Sequence, residues 1–424
     1  MEIAGEIRAA TVKSAVVLGA VALGAAVPIL VLGRAGMAVV AIMAVALVVA
    51  KADRHRLLRD LGAALRAPLG LAVIVTFALW LVSVAVSIDI ARSAGVWLRM
   101  AVLLVVGVAL VSALRRDPNL LIVALKALVV TSLACAALAL VATLLWPAPY
   151  LLLHSEIAGE PHALAAAYLK PYGAAVACLM PVALWAGARL GRGWWMPAVA
   201  FQPLAVAFMF AVESRASLIA GALGVGVLAC WFVARYGRPS LAALVAMGVV
   251  AVVVATFLTN VRGNQIEPVT GIPVWLVDAH RQAIWSRGLD YAIDALVFGW
   301  GFDVIDRLPG ADTIVSGSTQ EYIPAHPHNW MIEVAVETGV VGFAALVGTL
   351  VLLAWGTIRA LRRDGAAGAA MLALLVAYFV ICSISFSFWA FWWQATFVLL
   401  AAMVTATLTP GYLSRGFGRT ERTS

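Results

Sequence analysis

Stretches of about twenty apolar residues recur along almost the whole of this 424-residue chain, and that recurrence constrains the fold more than any other feature. The hydrocarbon core of a bilayer is ~30 Å thick, and a helix crosses it in about 20 residues. Against that ruler, spans are expected near 14–33, 35–50, 69–87, 96–114, 119–146, 172–188, 194–212, 216–234, 240–259, 329–355, 366–386 and 389–408, about twelve in all. Composition points the same way. Hydrophobic residues make up 64% of the chain and charged residues 12%, whereas a soluble domain carries about 25% charged residues. The expected fold is an all-α polytopic membrane protein, one integral membrane domain over residues 1–424.

The first stretch, MEIAGEIRAATVKSAVVLGAVALG, has the basic start and apolar run of a signal peptide. The run continues to about Leu32 with no small-residue cleavage site behind a short core, so it reads as a retained span. Basic residues then set the orientation. With the N-terminus in the cytoplasm, alternating short connections carry 19 of the 29 Lys and Arg residues, including Arg54–Arg66, Arg115–Arg116, Arg359–Arg363 and the tail Arg415–Arg422. Both termini are therefore expected in the cytoplasm. The net charge of +8 is mostly this bias plus contact with anionic membrane lipid, and no nucleic-acid partner is needed to explain it.

The opposite face holds the other polar residues. His154, His162, His280, His326 and His328 all fall in outer connections, as do the two long ones, 147–171 and 260–328. Within the second, Trp285, Leu289, Ala292, Ile293 and Leu296 recur at helical spacing, which predicts an amphipathic surface helix over about 278–298. Asp278 stands near its start, and Gly299 and Gly301 lie just past its end. Function is expected on this side.

Several residues there are candidates, each with a plain structural alternative. Arg215 sits in a minimal outer connection, where it is either a snorkelling arginine, a partner for Glu213, or an anion ligand. Arg281 and Arg287 lie on the surface helix and can serve merely as a solvated face paired with Asp278 or Asp290. If the next span begins near Pro327, then Asn329, Glu333 and Glu337 share one face, with His328 about 100° around at a water-facing tip. A carboxylate in mid-bilayer costs about 2.5–3.5 kcal/mol, so both glutamates are expected to hydrogen-bond to neighbouring spans. A histidine of ordinary pKa, near ~6.5, is neutral at the surface and can accept a proton.

Absences narrow the chemistry. There is no D-x-D pair, P-loop, H-E-x-x-H or G-x-S-x-G pattern. Cys135, Cys178, Cys230 and Cys382 fall in apolar runs without CxxC spacing, which argues against a disulfide framework or a metal site.

The run from Arg281 through Gly299–Gly301, His328–Asn329 and Glu337–Gly339–Gly342 resembles the signature of the O-antigen ligase and polymerase superfamily. Isolated Arg215 fits the same pattern. Where that family often carries an asparagine-rich segment before the sixth span, this chain has Lys170–Pro171–Tyr172, which makes Lys170 a weak candidate. The resemblance implies a GT-C-like, inverting, metal-independent glycosyltransferase of the bacterial inner membrane with no cofactor. Its donor would be an undecaprenyl-pyrophosphate-linked glycan and its acceptor a lipid A–core sugar, with the active site periplasmic. In that reading Arg215 and Arg281 bind the diphosphate, His328 is the general base, and Arg287, His326, Asn329, Glu333, Glu337 and Lys170 are supporting candidates. A base of ordinary pKa would lose activity as pH falls through about 6.5.

Within the superfamily the alternatives are an O-antigen polymerase or a protein O-oligosaccharyltransferase, and the short tail GYLSRGFGRTERTS is read as favouring the ligase. From another class, a flippase for lipid-linked glycan would be expected to spread charged residues through its spans.

Overall fold

The structure, a computed structural model, describes residues 2–50, 53–158, 165–235, 237, 247–250, 253–254, 271–274, 277–317 and 319–408. Side chains are described from residue 14 onward, leaving out 153–158. Apart from one isolated bridge between Ile314 and Glu321, its regular elements are helical. They run α1 Glu2–Ala26, α2 Arg34–Val49, α3 Arg54–Arg66, α4 Pro68–Ala85, α5 Ile90–Arg116, α6 Pro118–Leu140, α7 Pro147–Ala158, α8 Ala165–Leu190, α9 Arg192–Ala211 and α10 Arg215–Arg235. They continue with α11 Ala279–Asp294, α12 Trp330–Arg363, α13 Gly365–Ile384 and α14 Phe391–Ala406.

Eight described helices are long and apolar enough to cross a membrane, or nine if α2 and α3 form one broken span. Ser14–Ala26 and α14 are apolar but shorter. The expected span at 240–259 lies mostly outside the described residues. The polytopic all-α architecture therefore stands, and the described residues account for eight or nine of the twelve expected spans at full length. One correction concerns residues 54–66, read from sequence as a basic connection. They form α3, bent 111° from α2, capped by the Asp53 carboxylate accepting from the His55 backbone N–H at 3.0 Å. Mixed Arg and Leu at helical spacing suits a helix lying in the headgroup layer.

Helix α8 is the centre of the bundle, with 78% of its apolar window buried against α6, α9, α10 and α13. Small residues such as Gly173, Ala174, Ala175 and Ala177 let the neighbours approach closely, which is how helices associate when lipid is as apolar as the protein. The cysteines at 135, 178 and 382 are buried packing residues and Cys230 is half-buried; none is in a disulfide.

Polar contacts gather at the two ends. At one, Arg116 at the end of α5 reaches Asp60 of α3 at 2.6 Å, and Arg189 near the end of α8 reaches Asp364 between α12 and α13 at 3.1 Å. At the other, the long connection folds onto the start of α5. Ser93 Oγ accepts from the Phe302 N–H at 2.9 Å, and Arg92 pairs with Asp303 at 3.0 Å and Asp306 at 3.4 Å. The Phe302 ring packs edge to face on both Trp80 and Trp389, with centroids 5.4 and 4.7 Å away, and the two tryptophans touch each other at 5.6 Å, so the three rings form one cluster that fastens the connection to the bundle.

The element that fixes this connection is a break in α12. Gly339, with φ 62° and ψ −177°, divides a short helix, 330–338, from the membrane-crossing part, 340–363. The chain after α11 fits into the gap. Trp300 and Gly301 N–H donate to the Val336 and Glu337 carbonyls at 3.0 Å each, and Val340 N–H donates to Leu296 O at 2.8 Å. Gly299, with φ 71°, and Gly339 face each other so closely that a Cβ on Gly339 would stand 2.3 Å from Val297 O, and one on Gly299 2.3 Å from the Glu337 carbonyl carbon. No side chain fits between these backbones.

Gly339→Ala should therefore cost about 2–4 kcal/mol, from left-handed strain plus displacement of the opposing backbone. Gly348→Ala, in the same helix with open space where its Cβ would go, should change stability by no more than about 1 kcal/mol. Thermal melts of the two variants in detergent decide this, and equal Tm values would contradict the interlock.

Candidate active site

Two carboxylates hold the frame. Glu337 is fully buried, and its Oε2 accepts from Asp303 N–H at 2.6 Å while Oε1 accepts from Val304 and Ile305 N–H at 2.9 and 3.1 Å. Asp303 has φ 57°, and this left-handed residue turns three successive N–H groups toward one carboxylate. Glu333, also buried, accepts from Phe388 N–H at 2.8 Å in the link between α13 and α14. Both glutamates thus bond to connections, whereas the sequence reading has them bonding to neighbouring spans. The reason is that loops have free N–H groups to offer, and helix interiors do not.

The helix start is also later than expected. Asn329 is the N-cap of α12, its side chain accepting from Met331 N–H at 3.0 Å. His328 lies outside the helix with φ 53°, so the projection of a water-facing tip does not apply to it. Its ring turns inward. Nδ1 lies 2.6 Å from the Ser385 carbonyl, and His326 Nε2 lies 2.8 Å from the same oxygen. The two imidazoles meet edge to face, with centroids 4.4 Å apart. A carbonyl only accepts, so each of these nitrogens carries its proton. His328 is left with an unprotonated Nε2, the lone pair a base needs.

Electrostatics keep that ring neutral. Burial, then the His326 ring and the charges of Arg281 and His280, push the His328 pKa down to about 4, against the Ser385 carbonyl, which favours the protonated form. Burial also lowers His326, with Arg34 acting in the same sense and Asp303 and Asp306 in the opposite one.

Arg281 is thus close enough to bear on His328. It stands in the first turn of α11, whose Asp278 N-cap accepts its N–H at 3.0 Å and whose carboxylate faces its guanidinium at 3.5 Å, and it remains one-third exposed. Two tethers tie α11 to the histidine segment: Trp285 Nε1–H donates to Pro327 O at 3.0 Å, and His280 Nε2 to Glu321 O at 3.0 Å. Arg215 reaches the same end of the bundle. Gly224 of α10 packs on Ala373 and Ala377 of α13, and Trp231 packs on Gly365, so the two helices are antiparallel. The start of α10 is therefore level with the end of α13, beside Ser385.

Other candidates lie elsewhere. Arg287 is spent on structure: it donates to Tyr291 Oη and Pro309 O at 3.2 Å each and covers the Tyr291 ring. Lys170 is exposed on the first turns of α8. His162 is outside the described residues, and nothing is described of the His154 side chain. The apolar stripe of α11 divides. Leu289, Ile293 and Leu296 are exposed as expected of a surface helix, but Trp285 and Ala292 pack with Ile284 and Tyr291 on a small core with Ile305, Leu308 and Ile323. Among the described residues no three His, Cys, Asp or Glu side chains group as metal ligands.

Sequence reasoning missed the Ser385 carbonyl, which holds both histidines, and the role of Asp303 and Phe302 in seating the loop. A backbone acceptor leaves no mark on residue type. The Ser-Phe-Ser-Phe-Trp run at 385–389 was the available signal that the last two helices are joined by a built corner.

Comparison with known proteins gives a consistent picture. A model of the O-antigen ligase family matches residues 198–347, a stretch that contains Arg215, Arg281, both histidines, both glutamates and the three glycines of the interlock region. A protein of Rickettsia conorii provisionally named a polysaccharide ligase is 24% identical over 200 residues, 45% of this chain and 47% of that protein. One from Rickettsia bellii with the same provisional name is 23% identical over 226 residues, 50% and 52% of the two chains. The chain thus spans about half the length of the curated relatives it matches. These findings agree with the resemblance read from the sequence to the O-antigen ligase superfamily.

Replacing Glu337 by Gln swaps one acceptor oxygen for an NH2 group that faces an N–H donor. The expected loss is about 2–3 kcal/mol, and the amides of 303–305 should exchange roughly 30–100-fold faster. Hydrogen exchange on the solubilised protein measures this directly, and unchanged protection at those three amides would show that the carboxylate does not hold the loop.

Proposed function

We propose that this chain, similar to the O-antigen ligases over residues 198–347, is an inverting, metal-independent glycosyltransferase. It moves a glycan from undecaprenyl pyrophosphate to a sugar hydroxyl of lipid A–core on the periplasmic face of the bacterial inner membrane. The observation that carries this reading is the orientation of His328: Nδ1–H is committed to Ser385 O, which leaves the Nε2 lone pair for a substrate, and the charge of Arg281 helps to hold the ring neutral.

In this mechanism the acceptor oxygen attacks the anomeric carbon from the face opposite the diphosphate. The new C–O bond forms as the bond to the diphosphate oxygen breaks, and the electron pair leaves with the diphosphate. The hydroxyl proton passes to His328 Nε2. A base of pKa about 4 is weak, so the transfer comes late, once bonding to carbon has made the hydroxyl acidic. Diphosphate is a good leaving group, and no general acid is required. Arg281 and Arg215 take up the charge that grows on it, through the planar fork that suits phosphate oxygens. In a partly dehydrated site this contributes several kcal/mol, in the role a divalent ion plays in other enzymes.

A polymerase in the same superfamily would use the same donor and base but a lipid-linked glycan as acceptor. The first assay therefore offers purified undecaprenyl-pyrophosphate glycan with lipid A–core to the reconstituted protein. Transfer that depends on His328 supports the ligase reading. Extension of the lipid-linked glycan alone would favour the polymerase.

The depressed His328 pKa revises the expected pH dependence. The base is active when neutral, so kcat/KM, which reports the free enzyme, should be flat from pH 8 to 5 and half-lost near pH 4. Bound diphosphate adds negative charge beside His328 and raises its pKa, so the fall in kcat should come at higher pH than the fall in kcat/KM. His328→Ala should remove transfer at every pH while leaving donor binding intact. A kcat/KM midpoint near 6.5 would show that burial does not control this ring.

Arg281→Lys keeps the charge and loses the fork. The expected drop in kcat/KM is about 10²-fold with the melting temperature unchanged. Near-normal turnover in that variant would remove Arg281 from the leaving-group site.

A further inference from the structure

We propose that a groove between α2, α5 and α14 seats an acyl chain of the acceptor lipid, with the lipid's anionic headgroup on Arg34. The inference rests on the ligase reading above and assigns a second lipid site to it. The groove has a volume of about 590 Å³, within the usual range of small-molecule sites, about 300–1,000 Å³. Its walls include Ala41, Val106 and Leu399, and Arg34 is its one charged lining residue.

Arg34 is the first residue of α2, exposed, with its guanidinium over the Trp392 ring at 5.5 Å from the centroid. The ring holds the cation at the head of the groove without neutralising it. Among the described residues Arg34 has no carboxylate partner, in contrast to Arg92, Arg116, Arg189, Arg281 and Arg307. A fixed cation above an apolar channel in a lipid-facing surface complements an amphiphile with a negative head and a hydrocarbon tail.

The position says which amphiphile. Trp392, beneath Arg34, packs on Phe386 with ring centroids 5.0 Å apart, and Phe386 adjoins Ser385, whose carbonyl holds both imidazoles, so the head of the groove lies on the α13–α14 side of the histidine pair. Arg281 comes to the histidines from α11, which Trp285 ties to Pro327. A reaction that joins two lipids from one leaflet needs two lateral approaches to one base. The diphosphate requires the arginine pair at 215 and 281. The flank headed by the single Arg34 is left for the phosphorylated glycolipid.

The test is photo-crosslinking of the full chain in phosphatidylethanolamine vesicles. A benzophenone amino acid replaces Ile42, a groove residue 68% exposed and so tolerant of substitution. Vesicles carry either lipid A–core or undecaprenyl pyrophosphate. The expected result is a lipid A–core adduct that falls about fivefold or more when Arg34→Gln is added, as loss of a charge-assisted contact predicts. A melt confirms folding of both variants, and a second probe at Ala38 replaces Ile42 if the first does not fold. Labelling by undecaprenyl pyrophosphate instead, or equal labelling of bulk phospholipid, overturns the assignment. Crosslinking does not need turnover, so an adduct without glycan transfer would sink the ligase reading and leave the groove's occupant identified.

Discussion

The backbone contact between residues 295–301 and 336–341 is the constraint on which the site depends. Breaking α12 at Gly339 frees carbonyls and N–H groups that a continuous helix would bond internally. The chain leaving α11 satisfies them: its Trp300 and Gly301 N–H groups donate to α12 carbonyls, and its Leu296 carbonyl accepts from the Val340 N–H. Because the two strands of chain touch at Gly299 and Gly339, the surface helix and the mouth of α12 become one rigid unit. Arg281 rides on one part of that unit and His328 directly precedes the other. Their separation is therefore set by backbone hydrogen bonds, the least adjustable contacts in the protein.

The same unit explains why a span can begin with two glutamates. An isolated carboxylate at membrane depth is expensive, and the cost is offset here by hydrogen bonds from loop N–H groups. Glu337 gathers three of them and Glu333 one. Each glutamate ties a different connection to the short helix 330–338, so the link carrying Ser385 and the loop carrying Asp303 are both registered to it. The carboxylates are structural, and their chemistry is used up in positioning.

How much of this was legible in the sequence depends on what kind of group does the work. The glycines at 299, 301, 339 and 342 were marked by the family resemblance, and left-handed backbone at the first three gives the physical reason for that residue type; His328 and Arg281 stood out as ionisable residues in an outer connection of a chain with few of them. The membrane architecture followed from apolar run length. What stayed hidden was carried by backbone or by packing: the Ser385 carbonyl, the left-handed turns at Asp303 and His328, and the cluster of Phe302 with two tryptophans. The α3 helix was missed because five basic residues in a short connection satisfy a topology rule and a helical one equally well. Nothing in the sequence neighbours of Arg34 reveals its contact with Trp392.

The shared acceptor for the two histidines has a chemical consequence of its own. Ser385 caps the end of α13, where the last carbonyls of a helix lack intrahelical donors and carry the negative end of its dipole. One such oxygen with two lone pairs is filled by two imidazole N–H groups, which fixes both tautomers at once. That oxygen favours proton uptake by His328, while burial and the nearby cations oppose it. With the site empty the opposition wins, and the ring stays a neutral, weak base. Under the proposed mechanism an anionic leaving group would offset the cations and remove much of that opposition, so the ring would become more basic as the donor binds. Proton acceptance would then be coupled to the presence of the group whose departure requires it. A histidine of ordinary pKa in open water would lack that coupling.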